Sequence, residues 1–504
     1  MIPSVGIVKA KSLSYPEAPP FHPSERFPEY VFADCSSEVN HVYSGFRDLL
    51  IMMQLDLAHL NTKDWNPLGH IIKPGDKVVI KPNFVMDRHV GGGDYDCVVT
   101  HGSVIRAVLD YVFLALKGKG TVTIADAPMI DNDFQRIAQR TGIDQIVSCF
   151  SKHGLDLRLC DLRVENVELR DGLIMRRFKL PGDPAGYARI DLGQDSEFAE
   201  VARLHRRYRG SDYDSQETAR HHNEQVNEYL LSKTVLESDV FINMPKLKTH
   251  KKIGVTLNMK NLIGINGDKN WIPHYRIGSP KAEGDEFNSQ SILRHMESLL
   301  KDHFKEKAFR FVEQGSRTKL LLARVLRKTQ KAVVEHTNFT KIRAGGWYGN
   351  DTIWRSVLDL NKILLYADRE GIMQHTPQRR FLSVIDGIVG GEGDGPVLPT
   401  AKPCGVLLAG FNPLAVDICA TRLMGFDYRR FSQFGRALIL DQYPVMPNDI
   451  NAITSVSNVP EWCNILAQCG GMLKFTPATG WEGRIEFEAD ELEDAGPGNP
   501  ARFA

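Results

Sequence analysis

The sequence predicts an α/β protein, in which a mostly parallel central sheet carries helices on both faces and is elaborated by two insertions. Three observations lead to this prediction. Short runs rich in Val and Ile alternate with helical stretches from about residue 77 to residue 160. Two long regions, at about 163–231 and 270–378, break that rhythm, and it resumes after each of them. The 504 residues, 42% hydrophobic and 25% charged, have an ordinary globular composition that can bury a sizeable core.

The first half of the chain carries the alternation most clearly. Residues 1–70 are predicted as an N-terminal extension, irregular at first and then helical at 43–60, where Phe46, Leu50 and Leu57 share one stripe. Pro and Gly residues mark the entry to the first strand and the end of the following helix. The predicted elements of this half are strands at 77–81, 121–125 and 155–160, a helix ending near 116 that Thr100 or Ser103 would cap, and a helix at 134–140.

The second half supplies the remaining elements around the two insertions. The α/β domain is expected to span 71–430, and 431–504 to form a C-terminal extension that ends in a frayed acidic tail at 490–504. Helical periodicity appears within the second insertion. The predicted strands are 239–243, 381–385 and 405–409, and the predicted helices are 291–304, 320–334, 353–366 and 413–424.

Charge and cysteine usage narrow the classes of partner and compartment. The 62 basic and 62 acidic residues give zero formal net charge, so nucleic acid is not an expected partner. The eight cysteines are scattered without a CxxC pair, which favours reduced thiols and speaks against an iron–sulfur cluster or a structural zinc site. No signal-peptide pattern and no apolar run of bilayer length is present, so we expect a cytoplasmic protein without membrane insertion.

The segment 239–269 is the densest cationic run in the chain. It begins as a strand, breaks at Pro245, and then places five lysines within fifteen residues with no acid between them. Open α/β sheets bind ligands at the carboxyl ends of their strands, so this run favours an anionic ligand. A solvated basic loop is the alternative, but the interleaved apolar residues indicate that the segment is held against a core.

Polar side chains also follow the other predicted strands. Because parallel strands share a carboxyl edge, we predict that these groups converge on one rim with the lysine-rich segment. The groups are Lys81, Asn83, Asp126, Asn243, Asp386, Asn412 and Asp417.

A glycine-rich segment, 387–396, follows Asp386 and carries two further acids. Glycines let a backbone approach a ligand and present amides to a phosphate, although a flexible turn explains the pattern equally well. Asp386, Glu392 and Asp394 could together hold Mg²⁺ or another divalent cation, because hard cations prefer carboxylate oxygens. In the alternative, Asp386 caps a turn and the other two acids are solvated.

Histidines in predicted loops are candidates for proton transfer, since imidazole titrates nearest neutral pH. His250 is the strongest, because neighbouring lysines would lower its pKa and leave a neutral base. His101 and His274 are further candidates, and a structural role is the alternative for each. The amine of Lys248 is a fourth candidate for catalysis, with anion binding as the simpler role.

Four sequence motifs resemble those of the DUF362 family, a domain of unknown function. Some members of that family carry a fused ferredoxin segment, but this chain lacks its cysteine ligands, so the iron–sulfur cofactor is not carried over. The resemblance runs in order over most of residues 75–425 and implies where a site lies, not what it does. The motifs are KPN at 81–83, INMPKLKTHKKIGVTLNMKNLIGI at 242–265, DGIVGGEGDGP at 386–396 and AGFNPLAVDICATRLMG at 409–425.

Together these patterns predict a protein that binds a phosphorylated or carboxylated small molecule. As an enzyme, it would use His250, His274 or Lys248 for the chemistry, assisted by a divalent cation on the three acids. A non-catalytic binding or scaffold protein for a nucleotide-like or polyanionic ligand is the alternative. The predicted anion-binding residues are Lys81, Asn83, Lys246, Thr249, Asn258, Lys260, Asn261 and Lys269.

Overall fold

The computed structural model describes residues 5–170, 173–210, 214–289, 291–313, 342–445 and 450–487. The helix predicted at 320–334 and the acidic tail predicted at 490–504 lie outside these residues.

The strands and helices alternate along the chain and are joined by turns and short 3-10 helices. The strands are β1 Val5–Lys9, β2 Lys77–Pro82, β3 Thr121–Asp126, β4 Leu157–Asp161, β5 Glu165–Arg170, β6 Leu173–Lys179, β7 Tyr187–Asp191, β8 Tyr208–Arg209, β9 Glu228–Ser232, β10 Val240–Met244, β11 Lys246–His250, β12 Gly254–Thr256, β13 Tyr275–Arg276, β14 Arg380–Glu392, β15 Thr400–Gly410 and β16 Ser455–Ser457. The helices are α1 His41–Met52, α2 Gly102–Leu116, α3 Phe134–Thr141, α4 Ile143–Lys152, α5 Ser215–His221, α6 Lys233–Leu236, α7 Asn258–Asn261, α8 Ile292–Glu313, α9 Ile353–Tyr366, α10 Pro413–Met424 and α11 Ser432–Leu438.

The central sheet is mostly parallel, as predicted. Its strand order is β16-β1-β15-β14-β10-β2-β3-β4, and β11 and β12 attach beside the second half of β14. The strands β14, β10, β2, β3 and β4 run parallel to one another. β15 runs antiparallel to both β14 and β1.

Helices cover both faces of this sheet and bury two apolar cores. On one face, α1, α2, α3 and α4 pack against alternate residues of the strands, such as Val78 and Ile80 of β2. On the other face, α9, α10 and α11 pack with the first insertion and the C-terminal region against residues such as Val79 and Phe241. The alternation of side chains along each strand separates the two cores, because successive residues point to opposite faces.

Capping residues set the bounds of the helices that follow the strands. Asn412 accepts from the Ala415 N–H at the start of α10, with Pro413 as the first helical residue, and Gly425 ends the helix at a φ of 93°. The prediction that Thr100 or Ser103 caps α2 is wrong. The cap is His101, whose Nδ1 accepts from the Ser103 N–H at 3.1 Å.

The strand predicted at 405–409 has the opposite direction to the one expected. It belongs to β15, which forms a hairpin with β14, so its carboxyl end lies at the opposite edge of the sheet. Asn412 therefore does not join the predicted rim and instead caps α10 and donates to the Val445 carbonyl. Asp417 does approach the lysine-rich segment, but from α10 across one face of the sheet.

Among the residues described here, no helix is long and apolar enough to cross a lipid bilayer. All eight cysteines are free thiols.

Candidate functional site

The lysine-rich segment folds back over the carboxyl ends of the parallel strands. After Pro245 the chain continues as β11 beside β14, with Lys246 opposite Asp386, and β12 then pairs back onto β11. α7 and the 3-10 turn after it cross the sheet, where the Gly264 carbonyl accepts from the Ala127 N–H at 2.8 Å. The segment is held against a core, as predicted, because its polar residues are largely buried.

Buried amide side chains fasten α7 to the sheet. Asn243 lies in register with Lys81 and Ser383 on the neighbouring strands and donates to the Asn258 carbonyl at 2.9 Å. Ser383 donates to Asn258 Oδ1 at 2.7 Å, and Asn261 donates to Asn243 Oδ1 at 2.7 Å. The amides of Asn258 and Asn261, predicted to bind an anion, are thus engaged in positioning α7.

Asp417 anchors the same turn from α10. Its carboxylate accepts from the backbone N–H groups of Asn258 and Met259 at 2.8 and 2.9 Å, and from Asn258 Nδ2 at 2.8 Å. The cap residue of α7, Leu257, has no side-chain acceptor, so Asp417 supplies the acceptor that the helix start requires. Burial raises the pKa of Asp417 to about 7, and the three donors oppose that rise.

Lys81 and Asp126 form a buried ion pair at the ends of β2 and β3. Lys81 Nζ lies 2.8 Å from Asp126 Oδ1, and both side chains are almost inaccessible to solvent. Asp126 Oδ2 also accepts from the Phe84 N–H at 2.7 Å. Gly264 covers the pair, because a Cβ added there would lie 2.5 Å from Lys81 Nζ and closer still to Asp126 Oδ1.

Replacing Gly264 with alanine is expected to destabilise the fold by about 1–3 kcal/mol, because the new methyl group must push the buried ion pair apart. Chemical denaturation of the two proteins measures this difference. The matched control is Gly470→Ala, since a Cβ at Gly470 meets no atom within 4 Å and the residue is exposed. Equal stability of the two variants would contradict the packing argument.

Basic side chains gather around this ion pair. We term Lys81, Lys248, Lys260, Lys269, His250 and His274 the cationic cluster. The positive charge of Lys260 helps to lower the pKa of Lys248, Lys269, His250 and His274, and that of Lys81 in turn lowers the pKa of Lys260. The carboxylate of Asp126 opposes the lowering for the three lysines other than Lys81. One carboxylate, that of Asp126, thus interacts with all four lysines of the cluster.

Lys260 is the member of the cluster whose amine is not engaged by any described residue. It lies in α7 and is partly exposed. Within the parts of the chain that the structure describes, its Nζ has neither a hydrogen-bond partner nor an ion-pair partner. Burial and the charge of Lys81 lower its pKa to about 8.

The remaining lysines of the cluster hold backbone carbonyls. Lys248 donates to the Val98 carbonyl at 2.5 Å, and burial lowers its pKa well below the usual value. Lys269 donates to the Ile263 carbonyl at 2.6 Å, and burial lowers its pKa to about 7. A neutral amine can donate the same hydrogen bonds, so both side chains keep their positions when the amine is uncharged.

His250 presents an N–H to the site. Its Nδ1 accepts from the Lys252 backbone N–H at 3.1 Å, so the proton of the neutral ring sits on Nε2. Burial, and then the charge of Lys260, lower its pKa well below the usual value. The prediction that lysines keep His250 neutral agrees with this direction. The tautomer, however, makes Nε2 a hydrogen-bond donor, and no described residue accepts from it.

His274 has the opposite tautomer. Its Nδ1 donates to the Ile272 carbonyl at 2.8 Å, which leaves the lone pair on Nε2. Burial and Lys252 lower its pKa well below the usual value, so this ring is also neutral at pH 7.

Two further buried polar atoms beside the cluster lack partners. Thr256 lies opposite Lys248 in the β11–β12 ladder, and its Oγ1 makes no hydrogen bond to the described residues. Asn83 donates to Asn261 Oδ1 at 3.1 Å, but its own Oδ1 likewise has no partner in the described ranges. Buried polar groups are normally hydrogen-bonded, so these two atoms are available to a ligand that binds at the cluster.

Lys246 belongs to a separate polar group. Its Nζ lies 2.7 Å from Asp386 Oδ2 and 2.7 Å from the Tyr15 hydroxyl, which donates to Asp386 Oδ1 at 2.6 Å. His101 stacks on the Tyr15 ring, and burial lowers its pKa to about 3. These residues satisfy one another and hold the N-terminal segment against β14. The sequence does not identify Tyr15 as part of this group, because the stretch around it shows neither helix nor strand periodicity.

The three acids predicted to bind a metal lie apart and have other partners. Asp386 pairs with Lys246, Glu392 lies 2.8 Å from Lys402 Nζ, and Asp394 accepts from the Thr479 N–H at 2.9 Å. Among the described residues, no three His, Cys, Asp or Glu side chains are grouped so that they could hold a metal ion. The donor set expected for Mg²⁺ is therefore not assembled by this arrangement.

The first part of the glycine-rich segment is strand rather than turn, since β14 extends to Glu392. A Cβ at Gly391 would lie 2.7 Å from the Cys97 carbonyl oxygen, and one at Gly395 would collide with the Thr249 carbonyl. Thr249, predicted to bind an anion, donates instead to the Gly393 carbonyl at 2.7 Å. Close backbone packing accounts for these glycines.

Comparison with known proteins matches most of the chain to one family. Residues 78–190 and 193–422 match the model of DUF362, described as a domain of unknown function. A thylakoid-associated protein of Synechocystis sp. is 25% identical over 197 residues, which are 39% of this chain and 41% of that protein. The chain thus spans about two fifths of the length of this relative. No solved structure matches the chain.

Proposed function

The chain belongs to the DUF362 family, whose domain has no assigned function, and on that premise we propose that it binds an anionic small molecule at the cationic cluster. The observation that carries this proposal is the amine of Lys260, which is partly buried among basic groups and has no partner among the described residues. An uncompensated charge in such a place is costly, and a bound anion offsets that cost.

The ligand class follows from the groups that face it. An ammonium and the Nε2–H of His250 are donors, so they favour a phosphate or carboxylate oxygen. In the enzyme form of the proposal, this anion is the substrate, and the Nε2–H of the neutral His250 ring donates a hydrogen bond to it. In the non-catalytic alternative, the same groups bind the ligand without turnover.

Thermal-shift titration with sodium phosphate, phosphate monoesters and carboxylates tests the proposal. Binding at a hundred times the Kd is expected to stabilise the native state by about 2.7 kcal/mol. Sodium chloride of equal ionic strength is the control for screening. If none of these anions stabilises the protein beyond this control, the proposal fails.

Anion binding is expected to weaken as the pH rises through about 8, because Lys260, with its pKa lowered to about 8, loses its charge there. Sulfate is the suitable probe, since its own charge stays constant across this range. Calorimetric titration between pH 6.5 and 10 should give a Kd that is flat at first and then rises by about tenfold for each pH unit above that pKa. A Kd that stays constant to pH 10 would contradict the role of Lys260.

The compartment belongs to the same proposal. We expect the cytosol, because all eight cysteines are free thiols. The relative described as thylakoid-associated makes a membrane surface the competing location. Recovery of the protein with washed membranes after fractionation would overturn the cytosolic assignment.

A further inference from the structure

The lysines of the cationic cluster differ in whether the amine can reach a ligand. Lys81 is paired with Asp126, and Lys248 and Lys269 donate to backbone carbonyls. Each of these three side chains is also nearly inaccessible to solvent. Lys260 alone in the cluster combines partial exposure with an Nζ that no described residue engages.

We infer that Lys260 is a nucleophile that forms an imine with a carbonyl-bearing anion held in the cationic cluster. This inference rests on the proposed function, because the anionic part of the ligand must first bind. Burial, and then the charge of Lys81, lower the pKa of Lys260 to about 8, so a fraction of the amine is neutral and nucleophilic near neutral pH.

His250 is the second group of the cluster whose polar atom no described residue engages, and its charge state responds to Lys260. Its neutral ring offers Nε2–H, for which the described residues provide no acceptor. A carbonyl oxygen beside Lys260 can accept this hydrogen bond, which polarises the carbonyl carbon for attack. The two groups of the cluster that no described residue engages thus supply the two kinds of group that imine formation uses, a nitrogen nucleophile for the carbonyl carbon and a hydrogen-bond donor for the oxygen.

The chemistry balances without an oxidant or a reductant. The lone pair of the neutral Lys260 amine forms a C–N bond as the C=O π bond breaks, and a proton moves from nitrogen to oxygen to give a carbinolamine. The hydroxyl then takes a second proton and leaves as water, while the nitrogen lone pair forms C=N. One amine and one carbonyl therefore give one iminium and one water after uptake of one proton.

Reductive trapping tests the inference. The full-length protein is incubated with pyruvate or dihydroxyacetone phosphate and sodium cyanoborohydride, and adducts are located by mass spectrometry of peptides. We expect one dominant adduct on Lys260, with a trapping rate that rises toward pH 8 as the amine loses its proton and falls at higher pH as the anion binds more weakly. Lys260→Met should lose this adduct. Lys119→Met, which replaces an exposed lysine distant from Lys260 in the sequence, should retain it.

Lactate and glycerol 3-phosphate, which lack a ketone carbonyl, separate this inference from the proposed function. If these anions stabilise the protein in thermal-shift assays but neither carbonyl probe is trapped on Lys260, the imine is excluded and anion binding stands. Adducts spread over exposed lysines and unchanged by Lys260→Met also exclude it. If no anion stabilises the protein and nothing is trapped, both proposals fail.

Discussion

Replacing Lys260 with methionine is expected to raise the Kd for phosphate or sulfate by about 10- to 100-fold at pH 7. A charge-assisted hydrogen bond from an ammonium to an anion contributes about 1.5–3 kcal/mol, which converts to this range. The folded state should persist, because the Nζ of Lys260 makes no hydrogen bond or ion pair with the described residues that the substitution could break. Calorimetric titration measures the affinity, and thermal unfolding checks the fold.

Lys251→Met is the matched control for the loss of one charge. Lys251 is exposed, and its charge contributes to the lowered pKa of His250, so it lies near the cluster. Solvent and salt screen an exposed charge, so we expect its removal to change the Kd by less than about fivefold. If both variants lose affinity equally, the summed positive charge of the lysine-rich segment binds the anion, and Lys260 makes no direct contact with it.

Replacing Asp417 with alanine is expected to lower the free energy of unfolding by roughly 3–5 kcal/mol. The substitution leaves the N–H groups of Asn258 and Met259 and the Asn258 side-chain amide without their acceptor, and each unsatisfied buried donor costs about 1–3 kcal/mol. Urea denaturation measures the loss. Because these donors begin α7, which carries Lys260, anion affinity should fall as well.

The control for this second substitution is Asp441→Ala, which removes an exposed carboxylate. Its free energy of unfolding should stay within about 0.5 kcal/mol of the original, as is usual for surface positions. A loss below about 1 kcal/mol in Asp417→Ala would mean that water replaces the carboxylate and that α7 does not depend on this anchor.

Local sequence pattern was sufficient to predict the parallel half of the sheet. Strands such as 77–81 and 121–125 are short apolar runs bounded by Gly and Pro, and helices follow them with regular spacing. These patterns extend over only a few residues, so they can be recognised without knowing how the rest of the chain folds. The position of the lysine run after β10 is determined in the same way.

The direction of β15 could not be derived from its own residues. A buried strand shows the same apolar run in either direction, and only the connection differs. Seven residues separate Glu392 from Thr400, whereas a parallel crossover needs a dozen or more. The glycine-rich segment, however, has the composition of a ligand loop, and this composition conceals that β14 continues through it and that the connection is short.

The sequence by itself determined the fold class, the carboxyl edge as the location of the basic residues and the identity of those residues. The tertiary structure alone decided which charges are paired. Lys246 meets Asp386 across 140 positions of sequence, Asn261 meets Lys81 across 180, and Lys260 is left without a partner in the described chain. Such pairing depends on strand register and on the path by which α7 returns over the sheet. Neither of these can be predicted from the spacing of residues that are close in sequence.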